Sequence, residues 1–143
     1  MKRAAFLIAL LATAGVAQAC DGLEVRKAWV REAPPMARNL VAYMRLQNAG
    51  DQALSVTDIQ PASGFEGSML HGTELVDGVS RMRHVDQLDL APGESAELAP
   101  GGLHLMLFEP QQPMRKGDVV KLKIECAAGE AQLHDVAVRR SAP

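Results

Sequence analysis

The chain has 143 residues, with 15 basic side chains against 17 acidic ones and a formal net charge of −2 at neutral pH. With aromatics at 3% and no basic excess, it lacks both the electrostatic footprint and the stacking surface that nucleic-acid binding requires. The length suits one domain once the N-terminal segment is set aside.

That segment, residues 1–19, reads as a secretory signal. Lys2 and Arg3 supply the positive charge, Ala4 to Ala14 form an apolar stretch too short to span a bilayer, and Ala17-Gln18-Ala19 is a cleavage signal. Losing Lys2 and Arg3 leaves 13 basic residues against 17 acidic ones, a net charge of −4. The mature chain is then expected to begin at Cys20 and to form a single domain over residues 20–143. No later segment is long and apolar enough to make a membrane span, so a soluble periplasmic protein is the simplest expectation.

From here the sequence alternates apolar and polar residues between turn signals, with no long stretch at helical period. Leu23 to Arg31 is the first predicted strand, with Trp29 as a core anchor, and Pro34-Pro35 ends it. Leu40 to Asn48 follows, with Leu40, Ala42, Met44 and Leu46 on one face. Ala53 to Gln60 is third, closed by Pro61, and Phe65 to Leu75 is fourth. The turn Val76-Asp77-Gly78 leads into Val79 to Val85. Leu88 to Leu90, Ser95 to Leu98 and Leu103 to Phe108 come next, and Val119 to Cys126 and Gln132 to Arg140 complete the chain. So many short strands predict an all-β fold, an antiparallel β-sandwich or Greek-key barrel.

Two cysteines, Cys20 and Cys126, leave three readings open. In an exported protein a disulfide between them is the simplest. Cys126 as a free buried thiol is the second. Lipidation of Cys20, directly after the cleavage site, is the third, although Ala17 and Gln18 fit a lipoprotein signal poorly.

The chemistry concentrates in His71, Met82, His104 and Met106, spaced H-x10-M-x21-H-x-M. Imidazole and thioether together suit Cu(I), because thioether sulfur is a soft, neutral donor. His104 and Met106 share one face of a strand with Cα atoms roughly 6.6 Å apart, so both can reach one ion. His71 and Met82 are expected nearly opposite each other across the hairpin at Asp77-Gly78, with Cβ atoms about 4.5–5.5 Å apart. Whether the hairpin lies beside the His104 strand is not legible. Taken singly, a strand methionine is more often packing and a strand histidine more often a surface residue; the spacing of the four is what favours a site. Met69 reads as packing, and His84 as either an extra donor or a solvated residue.

Beyond these donors the chain resembles the periplasmic copper chaperone family known as PCuAC, whose signature is this same spacing. Ala28-Trp29-Val30-Arg31 with Pro34-Pro35, Ala42-Tyr43 with Asn48-Ala49-Gly50, Asp77-Gly78-Val79 with Arg81-Met82-Arg83, Pro100 to Leu107, and Gln112-Pro113 with Gly117-Asp118 all match its blocks. The resemblance implies a cupredoxin-like β-sandwich that holds Cu(I) through His71, Met82, His104 and Met106. It also implies partners: the cytochrome c oxidase subunit carrying the CuA centre, a Sco-type thiol protein, or both. Gly72 stands where many relatives carry a larger residue, His84 where proline is frequent, and Phe108-Glu109-Pro110 differs from the commoner form. The chain ends Arg139-Arg140-Ser141-Ala142-Pro143, without the His- and Met-rich extension of some members.

A blue-copper centre is excluded locally, because it needs a cysteine thiolate with His and usually Met close behind, and Cys126 is followed by His134 and no methionine. No catalytic triad, paired carboxylate block or open zinc motif is present, so the expectation is a non-enzymatic copper carrier. Copper storage, buffering or resistance, and a metal-free structural sandwich, are the alternatives.

Overall fold

The structure, a computed structural model, describes residues 20–129 and 131–143; the expected signal at residues 1–19 lies outside the described residues. Ten strands occur among the described residues. They are β1 (Leu23–Arg31), β2 (Asn39–Asn48), β3 (Leu54–Pro61), β4 (Gly67–Val76), β5 (Val79–His84), β6 (Leu88–Leu90), β7 (Ser95–Leu98), β8 (His104–Phe108), β9 (Val119–Cys126) and β10 (Gln132–Arg139). Hydrogen bonding links them in the order β5-β4-β8-β2-β1-β10-β9-β3-β6, with β7 pairing the far end of β2. The pairs are antiparallel except β1 with β10, which runs parallel through Val30↔Val138 and Arg31↔Arg139. That parallel pair joins the two halves of the sandwich, and its strands lie at opposite ends of the chain.

Period-2 alternation builds the core. Leu40, Ala42, Met44 and Leu46 of β2, Leu105 and Leu107 of β8, and Val120, Leu122 and Ile124 of β9 are all buried in one cluster with Val136 and Val138 of β10. Each fully buried side chain of this size contributes roughly 1.5–3 kcal/mol through the apolar area it removes from water.

Trp29 departs from its expected place. It is buried, yet it lies outside the core cluster. The reason is a bulge in β1. The β1–β2 register shifts between Arg26 and Trp29, where Lys27 takes a positive φ of 51°. One extra residue reverses the alternation. Leu23 and Val25 pair with inward residues before the bulge, Val30 pairs with inward Ala42 after it, and Trp29 is turned outward opposite Tyr43. The two rings sit with centroids 5.1 Å apart.

At the other end of β2, Asn48 is wholly buried. Its amide nitrogen donates to the carbonyls of Gln52 (2.7 Å) and Leu90 (2.9 Å), and its side-chain oxygen accepts from the Gly50 backbone N–H (3.0 Å). One side chain thus satisfies three backbone groups in the turn after β2 and at the end of β6. Nearby, Cys20 and Cys126 are joined in a disulfide that ties the start of the described chain to the end of β9. Asn48→Ala should lower stability by about 2–3 kcal/mol, the cost of stranding buried polar backbone groups. Urea denaturation of the two proteins measures this, and a loss below 0.5 kcal/mol would show that water replaces the side chain.

Candidate metal centre

The donors are positioned by three neighbouring strands, β5, β4 and β8. On β8, Leu105 and Leu107 are fully buried in the core, which turns His104 and Met106 to the opposite face. The turn before β8 places His104 more finely. Gly101 adopts φ +83°, a conformation costly for other residues, and the Gly102 N–H closes onto the Ala99 carbonyl at 3.1 Å. The Gly102 carbonyl then lies 3.0 Å from His104 Nδ1. With Nδ1–H donating there, Nε2 carries the free lone pair, the arrangement that orients imidazoles for metals.

β4 supplies the adjacency that alternation alone leaves open. It pairs with β8 through Met69↔Met106, Leu70↔Leu105 and His71↔His104. His71 and His104 are therefore direct cross-strand partners, with ring centroids 5.7 Å apart. His104 is only 8% exposed, and the Nδ1 of His71 is buried without any hydrogen-bond partner. A buried polar atom left unpaired costs free energy unless a ligand satisfies it.

The hairpin register differs from the expected one. Asp77 and Gly78 both have positive φ, 51° and 77°, as a two-residue type I′ turn requires, so Val76 pairs directly with Val79. Counting back from there sets Thr73 opposite Met82 and His71 opposite His84. Met82 is thus diagonal to His71 rather than opposite it. The displacement is two residues, which preserves the face, so Met82 remains on the side of His71.

His71, Met82, His104 and Met106 consequently share one face of three adjacent strands. Met69, expected to pack, instead lies on this face opposite Met106 and is 38% exposed. His84 lies there too, its ring 6.5 Å from that of His71 and its Nε2 3.1 Å from Asp86 Oδ1. On the far side β2 continues the same face with Val41, the partner of Met106, and then Tyr43 against Trp29. The other methionines and the fourth histidine of the described residues are elsewhere: Met44 is in the core, Met36 is solvent-exposed, Met114 packs partly against the core, and His134 bonds Gln132. Gly72 leaves room for a Cβ at ordinary contact distance from Val85 and Leu103, so an alanine is accommodated after His71.

No group of three or more His, Cys, Asp or Glu side chains able to hold a metal occurs among the described residues. The further donors that this face offers beside its imidazoles are thioethers, and those suit a soft cation. The two cysteines of the chain are consumed in the disulfide, so no thiolate is available to make a blue-copper site.

Burial holds the pKa of His71 below its ordinary 6.5, with the neighbouring His104 and His84 acting in the same direction. The folded protein therefore keeps His71 neutral, and able to accept a metal, at pH values where an exposed imidazole is largely protonated. The unfolded chain binds the extra proton first. Metal-free stability should accordingly be full above about pH 6.5 and decline as pH falls below it. His134, also depressed by burial, adds to the slope. Denaturant midpoints of the metal-free protein between pH 5 and 8 should show this decline, and His71→Gln should flatten it; an unchanged slope in that variant would refute the assignment.

Comparison with known proteins places the chain in context. Residues 23–138 match the family model described as "Putative lipoprotein LpqE-like". The chain is 27% identical over 110 residues to "Putative lipoprotein Lxx21020" of Leifsonia xyli subsp. xyli. That alignment spans 76% of this chain and 64% of the relative, somewhat under two thirds of its length. Among solved structures, the apo PCuAC domain from PmoF1 superposes with a TM-score of 0.70 at 18% identity, covering 87% of this chain and 99% of that one. The copper-bound PCuAC domain from PmoF2 gives 0.69 at 18%, covering 87% and 98%. The Cu(I) form of DR1885 from Deinococcus radiodurans gives 0.66 at 26% identity, covering 87% and 83%. The likenesses at 18% establish a shared fold, the cupredoxin-like sandwich of PCuAC domains.

Proposed function

The chain belongs to the LpqE-like lipoprotein family, and from that membership and the donor cluster on β4, β5 and β8 we propose that it is an exported copper chaperone. It binds one Cu(I) through His71, Met82, His104 and Met106 and passes it to a protein acceptor, without catalysing a reaction. Residues 1–19 serve as the export signal and residues 20–143 as the copper-binding domain. The acceptor we favour is a cytochrome c oxidase subunit carrying CuA, reached directly or through a Sco-type thiol protein.

One observation carries this reading. His71 is paired directly with His104, has a buried ring nitrogen without a partner, and has Met106 and Met82 on either side of it on the same face. Two imidazoles and two thioethers form a neutral set that matches the softness of Cu(I) and binds it without releasing a proton. The copper-bound forms of PmoF2 and DR1885, which share the fold, support the choice of metal.

Anaerobic titration with a competing chelator should find one Cu(I) per chain, with nitrogen and sulfur neighbours in X-ray absorption at the copper edge. The double variant His104→Ala/Met106→Ala should bind at least about 100-fold more weakly, since each lost donor contributes on the order of 1.4 kcal/mol or more. Undiminished affinity in that variant would sink the site. Transfer from the loaded protein to an apo CuA fragment separates delivery from storage, and storage is favoured if no acceptor receives the ion.

Compartment and anchoring follow from Cys20. A sulfur held in a disulfide is not free to carry a diacylglycerol thioether, and disulfides persist outside the cytoplasm. We therefore propose a periplasmic protein whose Cys20 is oxidised rather than acylated, in contrast to what the lipoprotein descriptions of its relatives suggest. The intact mass of the mature protein should be two hydrogens below that of the reduced, unmodified chain. A mass increased by an acyl group would reverse the assignment.

A further inference from the structure

The arrangement around His71 holds more donors than one ion needs. β8 offers His104 and Met106 at positions i and i+2, and β5 offers His84 and Met82 at the mirrored spacing. β4 lies between them, and His71 is the direct partner of both His104 and His84. The two flanking imidazoles are held alike. His104 has its Nδ1 against the Gly102 carbonyl, and His84 has its Nε2 against the Asp86 carboxylate. Each therefore keeps its other nitrogen free, which is how outer hydrogen bonds prepare metal-binding histidines.

Accessibility separates the two sides. His104 is 8% exposed, whereas the His84 side chain is 49% exposed and Met82 is 65% exposed. β5 is also the last strand of the sheet on this side. The three imidazoles do not by themselves form a metal-holding group. Two overlapping positions that share His71 and use thioethers fit these facts better than one enlarged site.

We propose that His84 is a fifth copper donor, forming with Met82 and His71 an outer Cu(I) position at the exposed sheet edge through which the ion leaves. This rests on the chaperone reading above. In the exchange the ion keeps His71 and Met82; its bonds to His104 Nε2 and Met106 sulfur break, and a bond to His84 Nδ1 forms. Copper remains Cu(I) throughout, no electron moves, and every donor stays neutral. The edge position thus presents copper to an acceptor before the protein has released it fully.

Two measurements on the mature chain test this. In His104→Ala/Met106→Ala, residual Ag(I), used as a diamagnetic stand-in for Cu(I), should shift the His84 Nδ1 resonance in nitrogen-15 NMR, and adding His84→Gln should abolish that binding. In the otherwise wild-type chain, His84→Gln should slow Cu(I) transfer to excess bicinchoninate by about tenfold, the effect of losing about 1.4 kcal/mol from the exchange barrier's stabilisation. An unmoved His84 resonance with silver bound, or an unchanged transfer rate, overturns the outer position while leaving the chaperone reading intact. Failure of the wild-type protein to bind Cu(I) at all overturns both.

Discussion

The site depends on β4 being paired on both sides in the correct register. On one side the two-residue turn at Asp77-Gly78 sets which β5 residue meets which β4 residue. On the other, the burial of Leu105 and Leu107 fixes the face of β8, and the Leu70↔Leu105 pair locks β4 to it. A slip of one residue in either ladder would send half of the donors to the wrong side of the sheet. A slip of two would retain the face and still separate His71 from His104. The proposed metal centre is therefore specified by backbone hydrogen bonds and leucine packing rather than by its donors.

Candidate donors and core residues occupy different faces of the same strands. The inward residues of β2 and β8 build the core, and the fold is further secured at a distance by Asn48 and by the Cys20–Cys126 disulfide. The outward face is free to carry groups that contribute little to folding. His71 is the exception, since its unpartnered nitrogen and depressed pKa show the desolvation that the metal-free protein tolerates. The β1 bulge extends this division, turning Trp29 and Tyr43 outward to continue the donor face as a buried aromatic edge.

Much of this was legible in the sequence because strands report themselves through alternation. The bounds of β1 and β9 coincide with their apolar runs, and most others differ by a residue or two at an end. The pairing of His104 with Met106 on one face required only the leucines between and around them. What alternation does not encode is which strands become neighbours, so the contact of β4 with β8 was invisible. Setting His71 opposite Met82 centres the hairpin between residues 76 and 77, whereas Asp77 and Gly78 close it between themselves, which moves the partner of His71 two residues on to His84. Trp29 is misplaced by alternation for a related reason: a bulge reverses phase without a strong sequence signature, and it shows only in the register shift and the positive φ of Lys27. Met69 and His84 are already singled out by the sequence, and only the correct registers set Met69 opposite Met106 and His84 opposite His71.

A copper carrier of the kind proposed must reconcile retention with release, and the gradient of burial across the candidate donor face is consistent with both. His104 is nearly enclosed and oriented by its own turn, which favours holding the ion. Met82, on a strand exposed along its whole length, has no such enclosure. Thioethers remain uncharged whether bound or free, so moving the ion between these environments leaves no unpaired buried charge behind. His71, its pKa lowered by burial and by the neighbouring histidines, achieves the same for nitrogen. A thiolate site would bind more tightly, but release would strand a charge or require a proton. Among soft donors, the His and Met set is the one with which the proposed exchange from an enclosed position to an open edge would avoid that cost.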